Sequence, residues 1–172
     1  MNEKKISADI LNKYQLPQRE QADKLLAEEA EKSSLKIIVL DDDPTGVQTV
    51  HDVSVYTDWS VESMREGFAE KNKLFFVLTN SRGFTEEETI KAHREIVNNV
   101  EIAASEANMK YCIMNRSDST LRGHFPLETR IVKEEMEKRN SWKVDGEILC
   151  PYFKEGGRVT LNNVHYVKYG NE

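Results

Sequence analysis

Apolar runs and amphipathic helical segments alternate along most of the chain. The apolar runs that predict strands lie at 36–40, 53–57, 73–79, 110–114 and 147–150. Apolar residues at helical spacing predict helices at 60–70, 85–108 and 126–139. Strands that alternate with helices in this way are typical of a mostly parallel sheet with helices over both faces. The pattern therefore predicts an α/β protein.

The longest predicted helix, 85–108, has a recognisable first turn. Thr85 is placed to cap the helix, and Glu88, three residues later, completes the pattern of a capping box. Apolar residues that recur at helical spacing in this segment are Ile90, Val97, Val100, Ala104 and Ala107. We expect these residues to form the buried stripe of the helix.

Residues 1–34 differ from the remainder and are predicted to form an N-terminal helical extension. Alanine and leucine residues in 19–32 recur at helical spacing. No residue type that suggests chemistry is concentrated there, so we expect the extension to pack on the main domain or on a partner. Residues 35–172 are expected to form one domain, with a Rossmann-like three-layer α/β/α arrangement.

The composition is that of an ordinary folded domain. Of the 172 residues, 38% are hydrophobic and 31% are charged, and the formal net charge is −6. Negative charge argues against nucleic acid as the main partner. No apolar stretch reaches the ~18 residues of a membrane-spanning helix, and the first residues lack the apolar core of a secretory signal. Cys112 and Cys150 lie far apart, each within or beside an apolar run. We therefore expect both thiols to be buried and reduced, and the protein to be cytoplasmic.

Polar residues are concentrated in loops that directly follow the predicted strands. These loops are 41–52, 80–83, 115–124 and 151–158. In an open parallel sheet, the loops that follow the strand C-termini meet at one edge, and ligands bind there. The distribution of polar residues therefore predicts a ligand site at that edge of the sheet.

The first of these loops begins with three adjacent carboxylates, Asp41, Asp42 and Asp43, followed by a proline, Thr45 and Gly46. Carboxylates in such a loop accept hydrogen bonds from substrate hydroxyls, coordinate Mg²⁺ or act as a general base. The proline and the glycine favour a tight turn, which fixes the direction of the side chains. The alternative is a solvated acidic turn in which Asp43 or Thr45 caps a helix.

The loop 115–124 contains two arginines, Arg116 and Arg122, together with Asp118, three hydroxyl side chains and a histidine. Arginine binds a carboxylate or phosphate through two parallel hydrogen bonds, and a carboxylate suits the hydroxyls of a sugar. Arg82, in the second loop, adds a third guanidinium at the same edge. Together these groups suit a small anionic polyol such as a sugar acid. The alternative is a network of arginine–aspartate pairs with a structural role.

A different enzyme class also fits part of the pattern. An apolar strand followed by Asp-x-Asp-x-Thr begins the haloacid-dehalogenase-like phosphatases, and Asp41, Asp43 and Thr45 match this motif. In that interpretation Asp41 is the nucleophile, Asp43 is the acid or base, and Thr79 is a phosphate ligand beside Mg²⁺. We rank it second, because no later strand ends in the paired acids that such phosphatases require.

Two loop motifs form a combination that is more specific than either motif alone. The first loop reads Asp-Asp-Pro-Thr-Gly at 42–46, and a later loop reads Asp-Ser-Thr-Leu-Arg-Gly at 118–123. Over residues 35–169 the chain resembles the N-terminal, sugar-binding domain of the four-carbon acid sugar kinase family. The segments 79–82 and 150–167 also resemble segments of that domain.

The resemblance implies an ATP-dependent kinase that phosphorylates a terminal hydroxyl of threonate, erythronate or a 3-oxotetronate-type acid. The clustered loops and the resemblance assign the sugar-acid contacts to Asp42, Asp43, Thr45, Arg82, Asp118, Ser119, Arg122 and Gly123. The arginines would hold the ligand carboxylate, the acids would orient its hydroxyls, and Asp42 or Asp43 would assist deprotonation. No residue of this chain is assigned as a metal ligand.

The same resemblance implies that ATP and Mg²⁺ are bound mainly by a C-terminal domain. No glycine-rich nucleotide loop occurs before the last residue, Glu172, so we expect part of the sugar-binding domain and no activity from this chain alone. The expected partners are a sugar acid and either a C-terminal kinase half or a second copy of the chain. A sugar-acid-binding module without catalysis is the alternative.

Overall fold

A computed structural model of the protein describes residues 5–14, 18–48, 50–118, 122–140, 143–153 and 155–170. The chain forms two compact units. One comprises residues 34–148, and the other combines 1–33 with 149–172. The predicted division into an N-terminal extension and one following domain stays a prediction.

A four-stranded sheet forms the centre of the 34–148 unit. Its strands are β1 (Lys36–Asp41), β2 (Val55–Tyr56), β3 (Leu74–Leu78) and β4 (Tyr111–Arg116), in the order β2-β3-β1-β4. β1 lies between β3 and β4, and all but one of its residues are buried. Every pairing in this sheet is parallel, as the sequence pattern predicted.

Three helices pack against one face of this sheet. They are α2 (Val61–Ala69), α3 (Glu86–Ala107) and α4 (Leu127–Arg139), and α3 contacts both of the others. Side chains alternate between the two faces of a strand, so every second residue of β1 and β3 points toward the helices. The core on this face includes Ile38, Leu40, Met64, Phe68, Phe75, Val77, Ile96, Val97, Val100 and Val132.

The capping box predicted for α3 is present. The Glu88 backbone N–H donates to Thr85 Oγ1 at 3.3 Å, and the Thr85 backbone N–H donates to Glu88 Oε2 at 2.8 Å. These reciprocal bonds satisfy two backbone donors that an α-helix leaves without partners at its N-terminus. The helix therefore begins at Glu86, within one residue of the predicted start.

The buried stripe of α3 is wider than predicted and is shifted along the helix. Ala107 is exposed and Ile90 is only partly buried, whereas the polar residues Thr89, His93 and Asn99 are buried. The physical reason is that α3 packs against α2 and α4 as well as against the core. A helix with neighbours on both flanks buries positions beyond its apolar stripe, and polar side chains there need internal partners.

The other unit contains the helix α1 (Arg19–Lys32), a short 3₁₀ helix (Ala8–Lys13) and an antiparallel hairpin formed by β5 (Arg158–Leu161) and β6 (Val164–Val167). The predicted N-terminal helix is confirmed, and none of its residues is buried. The hairpin was not predicted. Its two-residue turn, Asn162-Asn163, has positive φ angles of 49° and 62°, which asparagine tolerates better than most residues.

The strand predicted at 147–150 is absent. These residues form no strand, and Ile148 is 95% exposed. An apolar run becomes a strand only where a second backbone is available to pair with it, and the run itself does not report that. Cys150 is exposed and Cys112 is partly buried, so the expectation of two buried thiols is wrong for Cys150; both cysteines are free.

The described elements confirm the α/β class, the parallel sheet and the N-terminal helix, as expected for a Rossmann-like three-layer fold. No helix within the described ranges is long and apolar enough to cross a membrane. Because β1, β3 and β4 run in the same direction, the segments that follow them leave the sheet at the same edge.

Candidate functional site

Three loops leave the sheet at one edge, directly after β1, β3 and β4. Asp41 lies beside Leu78 of one neighbouring strand and beside Arg116 of the other, so the loops begin level with one another. The Thr79 backbone N–H donates to the Asp41 carbonyl at 2.8 Å, and the Asp42 backbone N–H donates to the Arg116 carbonyl at 3.3 Å. The sheet thus brings together three of the four polar loops that the sequence singled out.

Arg82 reaches across this edge to the carboxylates of the first loop. It lies on a short 3₁₀ helix, Ser81–Gly83, that follows β3. Its Nη2 and Nε donate to Oδ1 and Oδ2 of Asp42 at 2.9 and 3.2 Å, and its Nη1 donates to Oδ2 of Asp43 at 2.7 Å. The hydrogen bonds to Asp42 raise the pKa of Arg82 above its ordinary value. The guanidinium therefore stays charged and stabilises two adjacent carboxylates.

A second arginine–aspartate pair lies in the loop that follows β4. Nε and Nη2 of Arg122 donate to the two carboxylate oxygens of Asp118, both at 2.9 Å. The Arg122 backbone N–H donates to Asp118 Oδ2 at 3.2 Å. The Asp118 side chain is 8% exposed, whereas the Arg122 side chain is 66% exposed. The carboxylate is thus buried, while the guanidinium remains accessible to a ligand.

Asp41, the last residue of β1, is buried against the turn that follows it. The residue is 2% exposed, and a side chain at Gly46 would overlap its carboxylate, so only glycine fits there. Arg116 Nη1 approaches Asp41 Oδ1 at 3.5 Å. Burial raises the pKa of Asp41 to about 6, although the Arg116 guanidinium acts in the opposite direction.

Asp43 is more accessible than Asp41 and Asp42, and its carboxylate is held by Thr45. The Thr45 backbone N–H donates to Asp43 Oδ1 at 2.7 Å, and the Thr45 hydroxyl donates to the same oxygen. These hydrogen bonds lower the pKa of Asp43, and its side chain is 21% exposed. Asp43 is therefore ionised at neutral pH and able to accept a hydrogen bond from a ligand hydroxyl.

Gly123 lies where the loop after β4 approaches the first loop. A side chain at Gly123 would collide with the Ser117 hydroxyl and come within 3.0 Å of Asp42 Oδ2. The Ser117 hydroxyl itself donates to that oxygen at 3.2 Å. Gly123 also lines a cavity of about 370 Å³, together with His124 and Arg130. A second cavity, of about 410 Å³, lies between α2 and α3 and contains none of the predicted site residues.

The three loops contain every predicted contact residue that the structure describes: Asp42, Asp43, Thr45, Arg82, Asp118, Arg122 and Gly123. Ser119 lies outside the described residues. The loop 151–158 belongs to the other unit and does not follow a strand, so the expectation that it joins this edge through a preceding strand is wrong. The sequence did not single out Ser117 or Arg116 as anchors of the first loop; the available signal was their place beside Asp118, directly at the end of β4.

The positions of Asp41 and Thr79 weigh against the phosphatase interpretation. A nucleophile must reach its substrate, whereas Asp41 and Thr79 are each 2% exposed. The Thr79 hydroxyl lies 3.0 Å from the Asp41 carbonyl and 3.0 Å from Ser81 Oγ, so its proton is donated within the protein. Across the described ranges, no group of three or more histidine, cysteine, aspartate or glutamate side chains is arranged to hold a metal ion.

A parallel sheet with paired arginines and aspartates at its carboxyl edge defines this chain as a ligand-binding α/β domain. The family model described as Sugar-binding N-terminal domain matches residues 37–171, and the chain belongs to that family. The match confirms the predicted sugar-binding N-terminal domain and is consistent with the resemblance to the four-carbon acid sugar kinase family. It also supports a small-molecule sugar as the ligand. Comparisons with curated proteins and with solved structures found no match.

Proposed function

We propose that this domain binds a four-carbon sugar acid of the threonate, erythronate or 3-oxotetronate type and presents its terminal hydroxyl for ATP-dependent phosphorylation. The observation that supports the proposal is the meeting of two arginine–aspartate clusters, Arg82 with Asp42 and Asp43, and Arg122 with Asp118, at one edge of the sheet. A sugar acid carries one carboxylate and several hydroxyls. Guanidinium N–H groups match the carboxylate, and aspartate oxygens match the hydroxyls.

Within this proposal the two clusters have different roles. Arg122 uses Nε and Nη2 for Asp118, and we assign the exposed remainder of its guanidinium to the ligand carboxylate. Asp43 is assigned to a ligand hydroxyl, because its carboxylate is ionised and partly exposed. Asp42 is 2% exposed and bound to Arg82 and Ser117, so it holds these groups in place.

ATP with Mg²⁺ would supply the phosphoryl group. We assign the binding of both mainly to a separate C-terminal, nucleotide-binding domain. The role of this chain is then to hold the sugar acid, orient the terminal hydroxyl and exclude water from it. A sugar-acid-binding module without catalysis would make the same contacts, and a phosphoryl-transfer assay on an assembly with a nucleotide-binding partner separates the two.

The first test is binding of threonate, erythronate and a 3-oxotetronate-type acid to the 172-residue protein, measured by thermal shift and calorimetry. A charge-assisted hydrogen bond contributes about 1.5–3 kcal/mol, so Arg122→Ala should raise Kd about ten- to hundredfold. Arg122→Lys keeps the charge but loses the planar fork, so it should restore only part of the affinity.

Arg65→Ala is the matched control. Arg65 Nε and Nη2 donate to the two oxygens of Glu106 at 2.7 and 2.9 Å, the same two-bond geometry, and none of the predicted site residues is involved. The control should leave Kd unchanged. Equal loss of affinity in both alanine variants would place the ligand elsewhere, and no binding of any of these acids to the folded protein would overturn the proposed function.

A further inference from the structure

Behind the candidate site, a cluster of polar side chains is buried between the loop after β3 and the helices α3 and α4. Its members are Ser81, Thr89, His93 and Glu128, which are 0%, 0%, 1% and 3% exposed. Burial of a polar group costs free energy unless a hydrogen bond replaces its water. The contacts within this cluster therefore show which groups the fold holds in place.

Ser81 connects the cluster to the edge of the sheet. Its Oγ donates to Glu128 Oε1 at 2.6 Å and lies 3.0 Å from Thr79 Oγ1. The Thr79 hydroxyl is in turn 3.0 Å from the Asp41 carbonyl, at the end of β1. Polar contacts thus connect the first turn of α4 with the strand that carries the acidic loop, and the single Thr79 hydroxyl proton is donated either to Ser81 Oγ or to the Asp41 carbonyl.

Glu128 lies between the first turn of α4 and His93 of α3. It lies in the first turn of α4, where the helix dipole favours a negative charge. On α3, His93 Nε2 lies 3.8 Å from Glu128 Oε1, and His93 Nδ1 donates to the Thr89 carbonyl at 2.9 Å, since a carbonyl can only accept. Burial lowers the pKa of His93, although Glu128 acts in the opposite direction. A neutral His93 with its proton on Nδ1 has none on Nε2, so the Ser81 hydrogen bond and the N-terminus of α4, rather than His93, hold the Glu128 carboxylate.

Ser81 and Arg82 are consecutive residues of one short 3₁₀ helix, and their side chains have different surroundings. The Ser81 side chain binds the buried Glu128, whereas the Arg82 side chain binds Asp42 and Asp43 at the site. Two backbone hydrogen bonds also hold this turn. The Arg82 backbone N–H donates to the Asp42 carbonyl at 3.3 Å, and the Phe84 backbone N–H donates to the Ser81 carbonyl at 3.0 Å.

We propose that Ser81 and Glu128 are positioning residues that hold the 81–83 turn, and through it Arg82, in the geometry that binds the sugar acid. The identity of the ligand in this proposal rests on the proposed function. The role of Ser81 and Glu128 in holding the turn does not. Neither residue touches the ligand; the Ser81–Glu128 hydrogen bond restricts where the Arg82 backbone lies. Without it, Arg82 and the two carboxylates that it orders are displaced together.

The test measures turn order and ligand affinity separately in Ser81→Ala, Glu128→Ala and Glu128→Gln. In the two alanine variants, amide hydrogen exchange at Arg82 and Phe84 should become about tenfold faster, because the local opening free energy falls. Kd for threonate or erythronate should rise by about tenfold for the loss of one such hydrogen bond. Glu128→Gln retains an oxygen that accepts from Ser81, so both readouts should stay close to wild type.

Asn99→Ala controls for a general loss of stability. Asn99 is also on α3 and is 9% exposed, but its Nδ2 donates to the Trp59 carbonyl at 2.7 Å, ahead of α2. This variant should lower the melting temperature without changing Kd or the exchange of Arg82. Ser81→Ala, the smaller change, carries the test if Glu128→Ala does not fold.

The outcomes separate this proposal from the proposed function. Exchange at Arg82 and Phe84 that matches Asn99→Ala would overturn the positioning role, whether or not a sugar acid binds. Faster exchange with unchanged Kd would also overturn it, because the turn would then move without consequence for the ligand. If the wild type binds neither acid, the proposed function fails instead, and the exchange measurement still decides whether Ser81 and Glu128 hold the turn.

Discussion

At the scale of single residues, the carboxyl group of Asp41 is buried, and the surrounding residues shield it from water. β1 places it at the sheet edge, and the turn at Gly46 packs directly against it. Burial disfavours the ionised form, and the Arg116 guanidinium at 3.5 Å does not fully offset that effect, so the pKa rises to about 6. The folded protein therefore binds this proton more tightly than the unfolded chain does.

The stability of the Asp41→Asn variant, relative to that of wild type, should increase as the pH rises. The raised pKa contributes stability that is fully present below the ordinary value of 3.8 and is lost as the pH rises through about 6. Asparagine does not titrate, so the melting temperature of the variant minus that of wild type should increase between roughly pH 4 and pH 7. Thermal unfolding across that range measures the difference, with the exposed Asp145→Asn as a control for the loss of one negative charge. A difference that stays flat or falls would contradict the assignment.

The charged residues of the site were recognisable in the sequence, whereas their pairing was not. Arg82 was expected to hold a ligand carboxylate, and in the structure it binds Asp42 and Asp43, about 40 residues away. Sequence reports which side chains are available, but loops that far apart become neighbours only through the sheet. Glu128 was missed for a related reason, because a glutamate in the first turn of a helix is usually a surface residue.

At the scale of elements, α3 is the support on which the site loops rest. Its first turns face the start of α4, where Thr89 Oγ1 lies 2.8 Å from His124 Nδ1 and His93 lies 3.8 Å from Glu128. The same helix contributes much of the core that covers the sheet. The position of its N-terminus therefore matters both for stability and for the loops after β3 and β4.

Thr85→Ala should lower the free energy of unfolding by about 1 kcal/mol, because it leaves the Glu88 backbone N–H without its capping partner. Urea denaturation measures this change. Thr85→Ser retains the hydroxyl and is the matched control, so it should stay close to wild type. A loss of similar size in the serine variant would show that the Thr85 methyl group, rather than the cap, supplies the stability.

At the scale of the whole molecule, the candidate site lies within a single compact unit. The residues proposed to contact the sugar acid fall between Asp42 and Gly123, inside the 34–148 unit. ATP and Mg²⁺ are assigned to a different domain. On this assignment, the 34–148 unit is expected to bind the sugar acid without a contribution from the nucleotide.

The thermal shift produced by threonate or erythronate should be the same with and without Mg²⁺ and ATP. Ligands raise the melting temperature only when they bind the folded state, and this chain is assigned residues for the acid alone. Mg²⁺ and ATP added without the acid should produce no shift. A shift with the nucleotide alone would contradict the assignment of its site to another domain, while leaving the sugar-acid site to be judged by its own ligand.

The sequence by itself determined the α/β class, the limits of most strands and helices, and the loops in which chemistry is concentrated. These features are local: apolar runs, helical spacing, the Thr85–Glu88 capping pattern and polar loop motifs are all read over a few residues. Family membership was recognisable for the same reason, because short loop motifs in a fixed order carry it. Local patterns gave a wrong prediction where strand formation depends on a pairing partner. Residues 147–150, for example, form no strand.

Only the tertiary structure decided which charges meet and which are buried. The order β2-β3-β1-β4 places Asp41 between Leu78 and Arg116, and this order sets the three loops side by side. Burial then raises the pKa of Asp41. The folded arrangement also brings Ser81 within hydrogen-bonding distance of Glu128, which is 47 residues away in the chain. Desolvation and long-range pairing depend on everything that packs around a group, so they follow from the folded arrangement and not from the residues taken in order.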